Sequence, residues 1–309
     1  MATTNNLTTT YSGEFAGKYV SAALLSGKTL AEGNISIKPN IKYKEVMKKV
    51  ATDDIVKDAT CDFDATSTLT LTERILTPEE FQVNLQLCKK DFRADWEAVQ
   101  MGYSAFDNLP PSFSDFLIAH VADKVAQKME QNIWNGTNAN AGEFDGFKTT
   151  LLADADVNDV AAVGGGVDSS NVIAQLGNIV DAIPSAVYGS EDLFIYVSNN
   201  IYRAYVRALG GFASNIGAAG TDNKGTQWFN GGALTFDGIN MVMAPGLASN
   251  TAVAAEKGNL FFGCGLLNDQ NEVKVIDMAD IDGSQNVRVV MRFTAGIQHA
   301  IGSDIVLYS

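Results

Sequence analysis

A chain of 309 residues, 46% of them hydrophobic, has material for a real core in one large domain or two, which excludes wholesale disorder. Its formal net charge of −14 disfavours nucleic-acid recognition by the chain as a whole. Charged residues make up only 19%, below the roughly 25% of an ordinary soluble domain, as expected where much of the surface meets other protein.

Residues 1–37 are rich in Thr, Asn, Gly, Ser and Ala and read as an extended arm with a short helix at 15–25. Charge then becomes uneven. Residues 1–60 hold eight Lys against six acids (net +2), and the rest of the chain holds 14 bases against 30 acids (net −16). Lys38, Lys42, Lys44, Lys48 and Lys49 concentrate the positive charge around a single Glu45. Such a run is a solvated face, a segment that reaches an acidic neighbouring subunit or, third in order, a contact to DNA from the inner surface. "STLTLTERIL" (67–76) alternates with the period of two of a strand, and "FQVNLQLC" (81–88) follows after "TPEE". Together they predict a long β-hairpin or loop excursion.

The clearest helix follows, with Pro110 and Pro111, a Ser112 cap and Asp115 three residues on. Phe116, Val121, Met129 and Ile133 lie on its apolar face and are expected to pack under a sheet. The helix ends beyond Trp134 at Asn135-Gly136, where Gly136 is expected in the left-handed conformation. The loop "NGTNANAGEFDGF" then returns to order at Gly146-Phe147, a position that needs either positive φ or close backbone approach. A second helix is predicted from "DSSN" (168–171) to Pro184, with Val172, Ile173, Leu176, Ile179, Val180 and Ile183 on one stripe. "DLFIYVS" (192–198) reads as a buried strand, followed by a short helix in "NNIYRAYVRALGG". Residues 212–232 are Gly-, Asn- and Ala-rich. Only strands are expected after them: "ALTFDGINMVMA", "NLFFGCG", "EVKVIDM", "VRVVMRFTAGIQHA" and "DIVLYS". Helices in the middle and a closing meander of strands give the α+β class.

Catalytic chemistry finds no foothold. There is no HExxH and no Gly-x-Ser-x-Gly. His120 sits on the apolar face of the long helix and His299 in the last long strand, the places of core or interface histidines. "DADVND" (154–159) begins like a calcium loop, but Asp159 stands where glycine is needed and Gly165 where glutamate is needed. Cys61, Cys88 and Cys264 are too widely spaced for a zinc site or disulfide framework, so a reducing compartment is expected. No secretory signal and no membrane span of about 18 apolar residues are present in the sequence. No catalytic residue, cofactor or metal is assigned.

The order of these motifs resembles the major capsid proteins of tailed bacteriophages, which have the Hong Kong 97 (HK-97)-like fold. In that family an N-terminal arm and an extended loop precede a long spine helix that ends in Glu, a few apolar residues and glycine. Here these are Glu130, Ile133, Trp134 and Gly136, followed by Gly146-Phe147. "DLFIYVSNNIYRAYVRAL" is similar to the strand and short helix of the axial domain, and "GGALTFDGINMVMAPGLASN" to its hairpin. The segments from 259 to 309 look like closing strands of the peripheral domain. The resemblance implies an arm at 1–37, an extended loop and return strands at 38–90, and a spine helix with peripheral domain at 91–160. It further implies an axial domain at 161–275 and closing strands at 276–309.

It also implies function: a structural protein without enzymatic activity, self-assembling through pentamers and hexamers into an icosahedral head. The head would enclose double-stranded DNA without sequence-specific binding and without a membrane. Lacking a long charged helical prodomain, the chain is expected to use a separate scaffolding protein and a portal, to assemble in the bacterial cytoplasm and to reside in the virion. No covalent crosslink is assigned. The competing readings are an encapsulin-like nanocompartment with the same fold, another β-rich virion component, and an α/β enzyme with a lid at 210–232.

Overall fold

The computed structural model describes residues 28–41, 43–52, 56–59, 61, 65, 68–92, 111–209, 234–265 and 274–309. The readings of a helix at 15–25 and of the 212–232 segment lie outside these residues.

The first strands frame everything that follows. After a short helix α1 (Lys28–Ala31), strand β1 (Ser36–Lys38) pairs in parallel with β10 (Leu260–Gly263). Strands β2 (Glu45–Thr52) and β3 (Leu69–Leu76) pair antiparallel with each other in a two-stranded sheet of their own. The predicted pairing of 67–76 with 81–88 does not form. At Thr77-Pro78 the chain crosses closely over Gly296, where a Cβ would lie 2.9 Å from the Pro78 Cα. It then runs on as β4 (Glu79–Cys88), paired antiparallel with the long strand β12 (Asn286–His299). Fully buried Leu76 anchors that crossing under Gly263. Thus "TPEE" is a crossover rather than a hairpin turn, and the long hairpin lies one strand earlier.

A first mixed sheet is built on β12, which pairs with β4 along Asn286–Ala295, with β11 (Lys274–Asp277) along Val287–Val290, and with β10 along Gly296–His299. The spine helix α3 (Pro111–Asn135), preceded by α2 (Lys89–Phe92), packs against this sheet. Pro111 occupies its first turn, where the missing N–H costs nothing, so the helix starts ahead of the predicted Ser112 cap.

The second sheet has the order β5-β13-β9-β6-β8-β7, formed by Asn158–Val160, Val306–Tyr308, Ala252–Glu256, Leu193–Val197, Ile239–Met243 and Leu234–Phe236. Helices α5 (Val172–Asp181) and α6 (Asn199–Leu209) supply its hydrophobic cover, and α4 (Phe147–Leu152) sits in the other core with the spine. Val172, Leu176, Ile179 and Val180 are buried as the stripe predicts, while Ile173 faces out at 46% exposure. Asp237 and Gly238 both have positive φ, the turn that a right-twisted two-residue hairpin requires.

Two further expectations are corrected. The closing strands do not form one meander, because β12 belongs to the first sheet and β13 to the second. Among the described residues the C-terminal part also holds a short helix α7 (Ala279–Asp282) and two 3-10 turns. Strand β9 was missed because its "AVAAE" carries small residues where a strand signal needs β-branched or aromatic ones.

Candidate assembly surface

Two regions carry the residues singled out in the sequence: the C-terminal corner of the spine helix and the β2–β3 hairpin. At the corner, Met129, Ile133 and Trp134 are buried in the core cluster that contains Met291, Phe293 and Ala295 of β12. The Trp134 ring lies 5.4 Å from Phe147 and 5.2 Å from Tyr196, in tilted contacts. The side chain of Phe116 lies outside the described residues.

Glycines determine how tightly this corner closes. Gly136 donates its N–H to Asn132 O at 3.0 Å, and Gly146 donates to Gly136 O at 2.9 Å. Neither has the positive φ expected of Gly136. Close approach is the reason for both: a Cβ on Gly136 would lie 2.2 Å from Phe144 O, and one on Gly146 would lie 2.5 Å from Asn132 O. Gly246, which the sequence did not flag, packs tighter still, with a Cβ placed 2.0 Å from Glu130 O. The loop from 136 to 146 is tied to itself. Glu143 accepts from Thr137 N and Asn140 Nδ2 and pairs with Lys128, which holds its carboxyl at about 2, while Asn132 Nδ2 donates to Gly142 O at 3.0 Å.

Glu130 has a role that spacing alone did not reveal. Its carboxylate is buried and accepts from Thr29 N at 3.1 Å and from the Thr29 hydroxyl, which itself accepts from Trp134 Nε1 at 2.9 Å. Burial raises its pKa, against the hydrogen bonds from Thr29 that favour the ionised form. The spine helix therefore holds the start of the described chain with a buried acid.

The hairpin differs in kind. Its register places Val46 opposite Ile75, Val50 opposite Leu71, and Lys48 opposite Glu73. Because strand side chains alternate, these residues share one face with Leu69. That face is exposed: Leu69 63%, Leu71 64%, Val50 58%, Val46 45% and Ile75 41%. An isolated two-stranded hairpin is marginal in water, and this one leaves its apolar face uncovered. Among the predicted lysines, Lys38 pairs with Glu45 at 2.9 Å, Lys44 lies over the Tyr43 ring at 5.2 Å, and Lys48 and Lys49 project from β2. Lys42 lies outside the described residues. A second apolar feature is a groove of roughly 500 Å³ between the spine helix and the first sheet, lined by Phe81, Val83, Val121, Val125, Met129 and Phe293. Among the described residues no group of His, Cys, Asp and Glu is placed to hold a metal, and no helix is long and apolar enough to cross a membrane.

No protein-family model matches the chain, and no curated protein matches it. Solved structures do. The capsid of a native GTA particle superposes with a TM-score of 0.62 at 12% identity, covering 94% of this chain and 93% of that one. The capsid of Myoviridae phage XM1 gives 0.59 at 11% identity, covering 95% and 94%. A protein of Mycobacterium phage Che8 gives 0.55 at 13% identity, covering 100% and 98%. At such identities the likeness speaks to architecture, and it spans nearly the whole of each chain. The fold is the α+β, HK-97-like fold of these phage capsid subunits.

Proposed function

We propose that the chain is a major capsid protein that assembles with its own copies, as pentamers and hexamers, into an icosahedral phage head around double-stranded DNA. The observation that carries this reading is the β2–β3 hairpin: an apolar face with no cover, on a fold shared with capsid subunits. Covering those five half-exposed side chains against a neighbour contributes about 1 kcal/mol each, small per contact but repeated at every subunit. The acidic body repels packaged DNA rather than gripping it, which suits a container that must release its contents. The protein acts structurally, without catalysis, in the virion after assembly in the host cytoplasm, with a scaffold and a portal supplied by other chains. The domain boundaries proposed are those the resemblance implies, adjusted so that β10 and β11 join the sheet of β12 and β13 joins the sheet of β9.

Electron microscopy of the purified chain tests the proposal. Closed shells or capsomer rings are expected once it is expressed with its scaffold. A uniform monomer at high concentration with that scaffold present would overturn it. Shells that purify with protein cargo in place of DNA would favour the encapsulin-like alternative.

A further inference from the structure

At the base of the hairpin two cationic or potentially cationic groups converge on one oxygen. Arg74, near the end of β3, and His299, at the end of β12, both bond to Asp154 Oδ2, the His299 Nε2 at 2.8 Å. Asp154 thereby links the hairpin to the body of the molecule. Gln298 adds a weaker link, donating to Ile75 O at 3.2 Å. Exposure grades steeply across the cluster: the side chains of His299, Asp154 and Arg74 are 1%, 13% and 28% exposed. The second ring nitrogen, His299 Nδ1, is buried without a hydrogen-bond partner. Gly302 closes the other side, since a Cβ there would lie 2.3 Å from Asp154 Oδ2 and 3.3 Å from Asp156 Cβ.

A neutral imidazole with its proton on Nε2 satisfies this geometry. A second proton would place an N–H on Nδ1 with no acceptor, and would set an imidazolium beside a guanidinium on the same oxygen. The ring is enclosed and cannot leave. Arg74 can, because more than a quarter of its side chain already meets solvent. We propose that the cluster is an acid-sensitive fastening: a proton gained at His299 Nδ1 expels Arg74 from Asp154 and loosens the base of the β2–β3 hairpin. This device needs only one chain, so it stands apart from the shell reading.

Among the described residues, the charged groups that act on His299 are Asp154, in the segment after α4, and Arg74 from β3; β10, paired to it at Leu260, carries no charged side chain. Burial holds the His299 pKa below its ordinary value, with the hydrogen bond to Asp154 opposing and the Arg74 charge reinforcing that shift. A lowered folded-state value means the neutral ring favours the fastened state. The contribution is therefore complete above the unfolded value of about 6.5 and is lost as pH falls through the folded value. Burial also works against ionisation of Asp154, but the bonds from His299, the Asp156 amide and Arg74 outweigh it and hold that carboxyl below its usual range. Asp154 is thus held towards its ionised form.

Hydrogen exchange on the full chain, corrected for intrinsic rates, tests this between about pH 7.5 and about pH 5, the range in which histidine changes charge. Amide protection in β2 and β3 is expected to fall by up to about tenfold per unit of pH between the unfolded value of about 6.5 and the lower folded-state value, the slope that one proton imposes, and to level off below the latter. His299→Gln keeps a donor to Asp154 without a titrating ring and should hold its protection across the range. Arg74→Gln, a substitution at the surface end of the cluster, should be loose already at neutral pH and gain no further response to acid. Wild-type protection that is flat with pH would overturn the proposal, as would an acid response that persists in Arg74→Gln.

Discussion

The spine-helix corner and the β2–β3 hairpin lie in the same chain and are built on opposite terms. At the corner, three glycines let backbone meet backbone, an indole packs between two aromatic rings, and a buried carboxylate finds its donors. Each group is fixed by several others. Among the described residues the hairpin has one partner strand per strand, an apolar face open to solvent, and a fastening at its base. A region satisfied within its own chain sets the fold, whereas a region left unsatisfied needs a second molecule. Substitutions at the corner should therefore cost folding, and substitutions on the hairpin face should cost assembly while sparing the monomer.

The largest effect is expected at Met129. It is 4% exposed and faces the first sheet, so Met129→Asp buries an unpaired charge and should cost several kcal/mol. Chemical denaturation of any soluble fraction, or its absence, measures this. A mutant of wild-type stability would remove the spine helix from the core. Next comes Gly246→Val. Its Cβ would strike the Glu130 carbonyl, a backbone atom that cannot move aside, at a cost of roughly 3 kcal/mol. Gly146→Val should behave likewise, whereas Asn140→Ala, in the exposed loop, should stay within about 0.5 kcal/mol. Equal tolerance at Gly146 and Asn140 would reduce the corner to a linker.

Glu130 gives a smaller, pH-dependent effect. Glu130→Ala strands the amide and hydroxyl of Thr29 and should cost about 1–3 kcal/mol. Glu130→Gln removes the titrating proton while keeping the side chain's shape. Burial holds the folded-state pKa above its ordinary value of 4.5, so the stability tied to the protonated acid is full below that value and is lost as pH rises through the folded one. The wild type loses this contribution towards neutrality and the amide does not. The stability gap between them should narrow from about pH 4 to about pH 7 in urea titrations of the monomer, a widening gap being incompatible with a burial-raised pKa.

These two regions were also unequally legible. The corner was readable because helix periodicity places Met129 and Ile133 together and because Gly136 and Gly146 punctuate the chain. Gly246 could not be read as part of it, since its partner is 116 positions away and glycine carries no side-chain signal. Thr29 and Glu130 are similarly remote, and a buried Glu looks in sequence like a solvated one. The hairpin was misassigned by one strand for a physical reason. In β2, "EVMKKVAT" mixes charge into the alternation, because its apolar positions face solvent in the isolated chain rather than a core. Apart from β1, β5 and β9, the strands of the two sheets were legible, but their partners were not, because β12 and β13 follow each other closely in sequence and belong to different sheets.

On the hairpin itself, Leu71→Ser removes an apolar group that is 64% exposed, so monomer stability should move by no more than about 0.5 kcal/mol. Shell yield, scored by sedimentation and microscopy, should fall steeply, because the loss recurs at every interface. Normal yield would show that this face stays in solvent.

The smallest expected effect on the monomer comes from the lysines beside that face, and it sharpens the comparison most. Lys38 already pairs with Glu45, and Lys48 stands directly opposite Glu73 within the apolar face. Exposed pairs of this kind contribute only about 0.2–1 kcal/mol each, so replacing Lys42, Lys44, Lys48 and Lys49 by Glu should leave the circular dichroism of the monomer unchanged. Reversal at position 48 would set two carboxylates across the hairpin and turn the centre of its apolar face acidic. The rest of the chain, from residue 61 on, carries a net charge of −16, so a copy presenting that face would be repelled rather than steered. Assembly of the wild type should weaken as salt rises past about 0.15 M, where screening acts within about 8 Å. The quadruple variant should not assemble at low salt, and added salt should partly restore it by screening the repulsion. If it assembles like the wild type with the same salt response, the lysines serve only to keep an exposed strand soluble, and the attraction between copies rests on Val46, Val50, Leu69, Leu71 and Ile75 alone.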